Sequence, residues 1–319
     1  MSTSPAVEAR PSTFDRVRDR WAWTAVVTNL VGQIAIIVTG GAVRLTASGL
    51  GCSDWPQCEP GEFTPTLHSE SSFHPYVEFG NRTLAPVLVV IGLVVLLLVT
   101  TDRRRPWSYR ALGLVPVVGV LIQALIGGLS VLYDLNPAIV GSHLLISMGL
   151  VAFSAWLVVR TREGDGAPVP VVDRRIRLLT RVLIGATVLV LALGVVVTGA
   201  GPHSGDDTVG YRFDVDPWEM AKAHAAAVWV FVALLVAILV LLRRSGVRGR
   251  PWTAALVLLG VTLGQGLIGY VQLFTGLPVA LVNLHMLGAA LLTTAVTFFV
   301  GSLRTRDALE PIPARYALS

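Results

Sequence analysis

The chain alternates long apolar runs with short polar segments, and this pattern predicts its elements of structure. An α-helix needs about 20 apolar residues to cross a hydrocarbon core roughly 30 Å thick, and eight runs are long enough. They cover residues 23–43, 79–100, 111–132, 138–159, 179–200, 221–242, 252–274 and 280–303. Of the 319 residues, 53% are hydrophobic and only 14% are charged, which is outside the usual range of soluble domains. We therefore expect an all-α polytopic membrane protein with eight transmembrane helices.

An internal repeat relates the two halves of the chain. Residues 121–143 read LIQALIGGLSVLYDLNPAIVGSH, and residues 263–285 read LGQGLIGYVQLFTGLPVALVNLH. At a constant separation of 142 positions, the matching pairs are Gln123/Gln265, Gly127/Gly269, Leu135/Leu277 and His143/His285. A match of this length without a gap indicates a duplication, in which each copy contains an apolar helix, a short turn and a second helix with a histidine in its first turns.

The repeat divides the chain into two pseudo-symmetric four-helix bundles. We expect the N-terminal bundle at residues 23–160, with a long outer loop at 44–78, and the C-terminal bundle at 179–303. A polar linker at 161–178, rich in Gly, Pro and charge, joins them. The remaining segments, 1–22 and 304–319, are expected to be cytoplasmic tails.

The basic residues predict the orientation in the membrane. An even number of spans leaves both ends on one side, and 21 of the 25 basic residues fall on that side. The exceptions are Arg44, Arg82, Arg212 and Lys222. Because cytoplasmic loops are enriched in Lys and Arg, both termini are expected in the cytoplasm and the protein in the cell membrane. The net charge of +5 then reflects topology and contact with the lipid bilayer, and the sequence gives no reason to expect nucleic-acid binding.

Three histidines are candidates for binding a metal or cofactor. His224 and His285 are expected near the outer ends of neighbouring helices in the C-terminal half. The N-terminal half offers His143, while Asn81 lies at the position that corresponds to His224. A pair of imidazoles from two helices can hold a haem, and a single imidazole leaves one coordination position of the iron free. The alternative is that each histidine is a hydrogen-bonded packing residue. His203, in a GPHSG turn, is expected to be a solvated loop residue.

The long outer loop contains the two cysteines of the chain, Cys52 and Cys58. On the oxidising side of the membrane they could form a structural or regulatory disulfide, act as a redox pair, or remain free thiols. Two cysteines alone are too few for a structural zinc site.

Glu78 and Arg82 lie four residues apart at the start of the second predicted helix and therefore share one face. A carboxylate at the membrane boundary is costly unless it is paired or faces a cavity. The spacing fits an ion pair that anchors the helix end, and it equally fits an acid/base group beside a bound haem.

Several motifs together resemble the haem A synthase family, and the resemblance extends over all eight helices. They are TGGAVRLTASGLGCSDWPQC after the first helix, VEFGNR at the start of the second, QALIGGLSVL before His143, AKAHAA around His224, and GQGLIGYVQ before the NLH that contains His285. The resemblance implies a membrane oxidoreductase that converts haem O to haem A by oxidising the C8 methyl group to formyl. It also implies a resident haem b that relays electrons.

The resemblance assigns a role to each candidate residue. His224 and His285 would bind the resident haem b, His143 would bind the substrate haem O, and Glu78 would be the essential glutamate. Cys52 and Cys58 would form the outer disulfide. Asn81 and Arg82 would lie in the substrate-haem pocket.

At one position the chain departs from the family pattern. Asn81 precedes Arg82 where members of the family commonly have a histidine. We therefore expect the substrate haem to be held by His143 alone, with Asn81 bonded to water, a propionate or Glu78. His68 or His74 from the loop is the alternative second ligand.

Other functions remain to be separated from this one. A dihaem b-type electron-transfer cytochrome would need histidine pairs at two depths, and a haem carrier or chaperone would need the ligands but not Glu78. A transporter would need unwound mid-membrane segments, which these spans lack. As partners, the resemblance implies haem O synthase and cytochrome oxidase assembly factors, and it allows a homo-oligomer.

Overall fold

A computed structural model describes residues 12–66, 73–203, 205, 206, 208 and 210–307. Within that part of the chain the helices are α1 Thr13–Leu45, α2 His74–Thr100, α3 Trp107–Arg110, α4 Val115–Leu132, α5 Pro137–Arg162, α6 Arg174–Ala200, α7 Pro217–Arg244, α8 Arg250–Phe274 and α9 Val279–Ser302. A 3-10 turn at Ala111–Leu114 joins α3 to α4. Two short strands, β1 Val169–Pro170 and β2 Arg304–Thr305, pair antiparallel.

The helices confirm the prediction of an all-α polytopic fold. Eight helical segments are long and apolar enough to cross a membrane when α3, the 3-10 turn and α4 are counted as one. We call the end of the bundle at which residues 46–66 and 210–216 lie the loop face, and the opposite end, with Ser12 and Arg304, the terminal face. Segment 1–11 of the predicted N-terminal tail and segment 308–319 of the C-terminal tail lie outside the described residues.

Helix α1 and the third span differ most clearly from the predicted spans. Helix α1 begins at Thr13, ten residues before the first apolar run, because Ser12 and Asp15 form a capping box at its start. Arg18 on this extension is buried and forms an ion pair of 2.5 Å with Asp15. The third span is interrupted by the 3-10 turn, and α4 begins with Pro116 in its first turn, where a missing N–H costs no hydrogen bond.

The helices pack as two four-helix bundles. In the first bundle, α1, α2, α4 and α5 contact one another in a ring, and in the second bundle α6, α7, α8 and α9 do the same. The bundles meet where α1 and α5 pack against α9 and where α5 packs against α6. An apolar core of the second bundle includes Leu183, Leu235 and Phe299, while Met148 and Ala290 belong to a core cluster at the boundary between the bundles.

The turn of the predicted repeat has the same conformation in both copies. Asp134 and Leu135 have φ values of 47° and 55°, and Gly276 and Leu277 have 78° and 59°. The same two backbone hydrogen bonds close both turns at equivalent positions. A left-handed leucine costs on the order of 1 kcal/mol or more, so its occurrence in both copies indicates that the turn geometry is needed to position the following helix.

A buried ion-pair cluster ties the two bundles together at the terminal face. Glu163, just after α5, pairs with Arg160 at 2.8 Å and with Arg304 at 2.9 Å, and Arg304 belongs to the strand that pairs with the linker strand β1. Burial of this carboxylate opposes its ionisation, but hydrogen bonds from Arg304 and Arg160 outweigh burial and hold the pKa of Glu163 below its ordinary value. The cluster therefore connects the end of α5, the linker and the segment after α9.

We predict that Glu163→Gln destabilises the protein by about 3–5 kcal/mol, since it leaves the buried guanidinium of Arg160 and the half-buried guanidinium of Arg304 without this carboxylate. Thermal unfolding in detergent measures this loss. Because the folded-state pKa of Glu163 is lowered, the contribution is fully present above the ordinary carboxyl pKa of about 4.3 and disappears as the pH falls through the lowered value.

The control for this prediction is Glu219→Gln. Glu219 pairs with Lys222 at 2.5 Å, but the two side chains are 59% and 54% exposed. An exposed pair contributes about 1 kcal/mol or less. Equal stability losses in the two variants would contradict the role assigned to Glu163.

Candidate functional site

Each bundle contains one large cavity near the loop face. The cavity of the first bundle has a volume of about 390 Å³ and that of the second about 380 Å³. Both fall within the range of cofactor and ligand sites, about 300–1,000 Å³. Four residues line both cavities and form the wall between them, namely Leu144, Val195, Thr198 and Met286.

The second-bundle cavity contains His224 on α7 and His285 on α9. Their ring centroids are 6.5 Å apart, and the ring planes are inclined by 72°. Nδ1 of His224 donates a hydrogen bond of 3.1 Å to the carbonyl oxygen of Val190. Because a neutral imidazole carries one proton, this bond leaves Nε2 of His224 with its lone pair available for a metal.

The repeat places His143 and His285 in equivalent surroundings. His143 is the seventh residue of α5, and His285 is the seventh residue of α9. Gln123 donates to the carbonyl oxygen of His143 at 2.9 Å, and Gln265 donates to that of His285 at 2.6 Å. Glycines of the preceding helix lie beneath both rings, where a Cβ atom would come within 3.5 Å of His143 and 3.1 Å of His285. These glycines give both rings the space that they occupy.

The two cavities differ in the carboxylate and in the imidazoles that line them. Asn81 is the eighth residue of α2 and His224 the eighth of α7, so the predicted correspondence between them holds along the helices. By the same position count, Glu78 corresponds to Ala221, which lines the second cavity. Among the described residues that line the first cavity, His143 is the one histidine. One cavity thus has two imidazoles and no carboxylate, and the other has one imidazole and a carboxylate.

Asn81 is fixed by a partner that the sequence did not reveal. The hydroxyl of Thr39 on α1 donates to Oδ1 of Asn81 at 2.7 Å. The amide nitrogen of Asn81 is then the group that remains for a molecule in the cavity. The predicted bond from Asn81 to Glu78 is absent among the contacts of the described residues, because both oxygens of Glu78 have other partners.

Of the two alternative loop ligands, His74 is described by the structure and is turned toward another partner. The ring Nδ1 of His74 is hydrogen-bonded to the hydroxyl of Ser48 at 2.9 Å, and His74 is not among the residues that line the first cavity. His68 lies outside the described residues. The Nδ1 atom of His143 is buried and has no hydrogen-bond partner in the described part of the chain.

Glu78 and Arg82 hold the long loop against α2. Glu78 is buried, and its Oε2 accepts a hydrogen bond of 2.8 Å from the backbone N–H of Cys52. Its Oε1 accepts from Nη2 and Nε of Arg82 at 2.5 and 3.1 Å. Nη1 of Arg82 donates to the carbonyl oxygens of Asp54 and Gln57 at 2.9 and 3.0 Å. The expected ion pair therefore exists, and it lies at the edge of the cavity that Glu78 also lines.

Cys52 and Cys58 are joined by a disulfide, and both are buried. Trp55, between them, lies over Gly128 of α4, where a Cβ atom would come within 2.6 Å of the indole ring. Trp55 and Phe63 also line the first cavity. The disulfide-bonded loop is therefore the lid of this cavity at the loop face.

For two polar residues, His203 and Arg44, the structure differs from what we inferred from the sequence. His203 is half-buried, and its Nε2 donates to the carbonyl oxygen of Leu277 at 3.1 Å, so the expectation of a solvated loop residue is wrong. Arg44 lines the first cavity, but the sequence marked it only as a basic residue on the outer side. The position of Arg44 within the TGGAVRL motif was the sequence feature that could have identified it as a cavity residue.

Comparison with known proteins agrees with these features. The sequence profile of the COX15-CtaA family, described as cytochrome oxidase assembly protein, matches residues 20–203. The chain is 25% identical over 310 residues to a protein named heme A synthase from Bacillus mycoides, which covers 90% of this chain and 95% of that protein. It is 26% identical over 300 residues to heme A synthase from Bacillus cereus, with 87% and 91% covered.

The family profile covers more than half of the chain, from α1 to the end of α6. Eight apolar spans agree with a membrane protein. This chain is therefore a multi-pass membrane protein that belongs to the COX15-CtaA family of cytochrome oxidase assembly proteins.

Proposed function

We propose that this chain is a haem A synthase, an enzyme that converts haem O to haem A by oxidising the C8 methyl group to formyl. The observation that carries the proposal is the pair of equivalent cavities, of which one has two imidazoles and the other has one imidazole beside a buried carboxylate. Two relatives that span about nine tenths of the chain bear the same name.

The second-bundle cavity fits a resident haem b held by His224 and His285. Bonds from a metal to imidazole nitrogen are about 2.0–2.1 Å long, so an iron between two imidazoles separates the ring centres by roughly 6–6.5 Å. The observed 6.5 Å agrees with this value. A bound haem b would supply electron relay to this site.

The ligand count also favours a haem over a bare metal ion. Among the described residues, no group of three or more His, Cys, Asp or Glu side chains could hold a metal ion. Two protein nitrogens suffice for an iron whose other four ligands come from a porphyrin. The mainly apolar lining of the second cavity suits the porphyrin faces.

In the first bundle, we propose that His143 binds the iron of haem O, which is the substrate. The buried Nδ1 atom of His143, which has no partner among the described residues, supports this role, because an unsatisfied ring nitrogen inside an apolar bundle is costly unless a ligand reaches it. On the other side of the cavity, Thr39 holds the oxygen of Asn81 and turns its amide nitrogen toward the substrate. Asn81 would therefore donate a hydrogen bond, and the face that it covers would keep room for reaction.

Glu78 is proposed as the acid/base group of the reaction. Oxidation of a methyl to a formyl group removes carbon-bound hydrogen, so protons have to move at that carbon, and a carboxylate positioned beside it can take part in those proton transfers. The backbone N–H of Cys52 and the guanidinium of Arg82 fix the two oxygens of Glu78. Oε2 is the oxygen that we assign to proton transfer, since it has one hydrogen-bond donor where Oε1 has two.

The membrane arrangement completes the proposal. With both termini in the cytoplasm, the loop face and the disulfide of Cys52 and Cys58 would lie on the oxidising side of the cell membrane, where a disulfide persists. The lid would keep water out of the first cavity. Haem O synthase would supply the substrate, and assembly factors of cytochrome oxidase would receive the product.

The haem content of the purified protein tests the assignment of His224 and His285 as ligands. We predict that pigment extracted from the purified protein contains haem B and that His224→Ala and His285→Ala lose it. His143→Ala should retain it, because His143 lies in the other cavity. Mass spectrometry of the extracted porphyrins measures the outcome, and His203→Ala, a histidine outside both cavities, is the matched control. A protein without any porphyrin after expression with haem supply would refute the function.

Glu78 separates an enzyme from a haem carrier. We predict that Glu78→Gln keeps the resident haem but lowers the rate of haem A formation by about 10²–10⁴-fold, the usual contribution of a general acid or base. The rate of conversion of haem O in membranes is the measurement. Glu62→Gln, an exposed carboxylate in the same loop, is the control and should have the wild-type rate. A carrier would transfer haem equally well in both variants.

Asn81 tests the coordination of the substrate haem. We predict that ferric haem in the first cavity is high-spin in the wild-type protein, with His143 as its protein ligand, and becomes low-spin in Asn81→His. Absorption and electron paramagnetic resonance spectra report the spin state independently of turnover. A wild-type spectrum with two bis-histidine haems would contradict the single-ligand assignment.

A further inference from the structure

Arg44 is a charged side chain at the first cavity, and no carboxylate of the described residues forms an ion pair with it. It lies at the loop-face end of α1, is half-buried, and lines the cavity. Its Nε donates to the carbonyl oxygen of His203 at 2.9 Å, and its Nη2 donates to that of Thr198 at 3.0 Å. These are neutral partners, and no ion pair of Arg44 occurs among the described residues. A guanidinium held in this way retains its full charge and its Nη1 donors for another anion.

The other arginine of this cavity has no such capacity. All three nitrogens of Arg82 donate hydrogen bonds, two of them to the carboxylate of Glu78 and the third to loop carbonyls. Its charge is compensated by Glu78 at 2.5 Å. Of the two arginines that line the first cavity, Arg44 is therefore the one that can bind an anionic group of a guest molecule.

The charged groups of the cavity lie at one end of it. Arg44 and Glu78 lie toward the loop face, whereas the residues deeper in the bundle are uncharged: the apolar Ile37, Leu88 and Val120 and the polar Gln33, Gln123 and Ser147. Along α2, the ten residues from Glu78 to Leu88 correspond to about 15 Å at 1.5 Å per residue. A haem has the same polarity, because both propionates extend from one edge of the porphyrin and the opposite edge is apolar.

We propose that Arg44 binds a propionate carboxylate of the substrate porphyrin and so determines how that porphyrin lies in the cavity. This inference rests on the proposed function and adds to it a positioning residue. Charge-assisted bonds between guanidinium and carboxylate are short and directional, which suits a group that fixes orientation. His143 lies about 9 Å deeper than the start of α5, so an anion at Arg44 and an iron at His143 would occupy different depths of one cavity.

The orientation of the porphyrin matters because its methyl groups are chemically similar and differ only in their positions on the ring. In haem O, the C8 methyl group shares a pyrrole ring with one of the propionates. A propionate held at Arg44 therefore keeps that methyl group at the polar end of the cavity, where Glu78 lies. The two methyl groups on the rings without a propionate would be directed away from Glu78, whereas the C5 methyl group, on the other propionate-bearing ring, would remain at the polar end with the C8 methyl group.

The test compares a porphyrin that has free carboxylates with one that does not. Zinc protoporphyrin IX and its dimethyl ester are titrated into the purified holoprotein in nanodiscs, and the Soret shift on axial ligation is followed. His143→Ala provides the blank for partitioning into lipid. We expect the wild-type protein to bind the diacid about 10- to 100-fold more tightly than the ester, the range expected for hydrogen bonds to a charged group. Arg44→Gln should bind both with similar affinity.

The controls distinguish a binding role from a structural one. Lys222→Gln removes an exposed positive charge near the loop face and should leave the diacid-to-ester ratio unchanged. Arg44→Lys keeps the charge without the bidentate fork and should have an intermediate ratio, which also serves if Arg44→Gln fails to retain its resident haem spectrum. An unchanged ratio in the Arg44 variants, or equal affinities in the wild type, would overturn the inference and leave the haem pocket in place. If the wild type binds neither porphyrin above the His143→Ala blank, the proposed function fails, and this inference fails with it.

Discussion

Polar side chains inside a membrane-spanning bundle must find a partner or face a cavity, and this constraint organises the whole structure. In lipid there is no water to satisfy an isolated donor or acceptor, so each unpaired group is costly. Asn29 meets the requirement through a hydrogen bond of 2.9 Å to Ser154, and Gln123 meets it through the carbonyl oxygen of His143. Most buried polar groups are thereby explained as packing contacts between helices. Among the described residues, the buried polar atoms left without a partner include Nδ1 of His143 and Nδ1 of His285, which line the two cavities and are therefore candidates for function.

Both copies of the repeat satisfy this requirement for polar side chains with the same structural elements. The turn with two left-handed residues, the glutamine that binds the histidine carbonyl and the glycine under the ring recur in both bundles. The copies differ near the starts of α2 and α7, where Glu78, Asn81 and Arg82 correspond to Ala221, His224 and Ala225. The duplicated scaffold in this way has one cavity with a carboxylate and one imidazole and another cavity with two imidazoles.

The fold was largely predictable from sequence because hydropathy and repeat spacing are local signals. Eight spans, the repeat turn at Leu135 and Leu277 and the equivalence of Asn81 with His224 all follow from counting along the chain. Contacts between segments far apart in sequence were not accessible to that method. The start of α1 depended on Ser12 and on burial of Arg18, and the partner of Asn81 is Thr39, 42 residues away.

The environment of Arg44 likewise depends on contacts with residues that are far away in the sequence. Its sequence position indicated only a side of the membrane, whereas its importance follows from carbonyl partners in the other half of the chain. A charged residue indicates a binding site when no neighbouring group neutralises its charge, and its neighbours are determined by the tertiary structure.

Those carbonyl partners also mean that the two bundles do not form independent sites. Arg44 of α1 donates to Thr198 and His203, Gly49 donates to Gly205 at 2.7 Å, and His203 contacts Leu277. The loop after α6 is thus bonded both to the end of α1 and to the repeat turn of the second bundle. Since Thr198 also lines both cavities, the wall between them and the support of Arg44 are the same backbone segment. A change in one cavity that displaces α6 would therefore move the anion-binding group of the other, so the duplicated halves act as one structural unit.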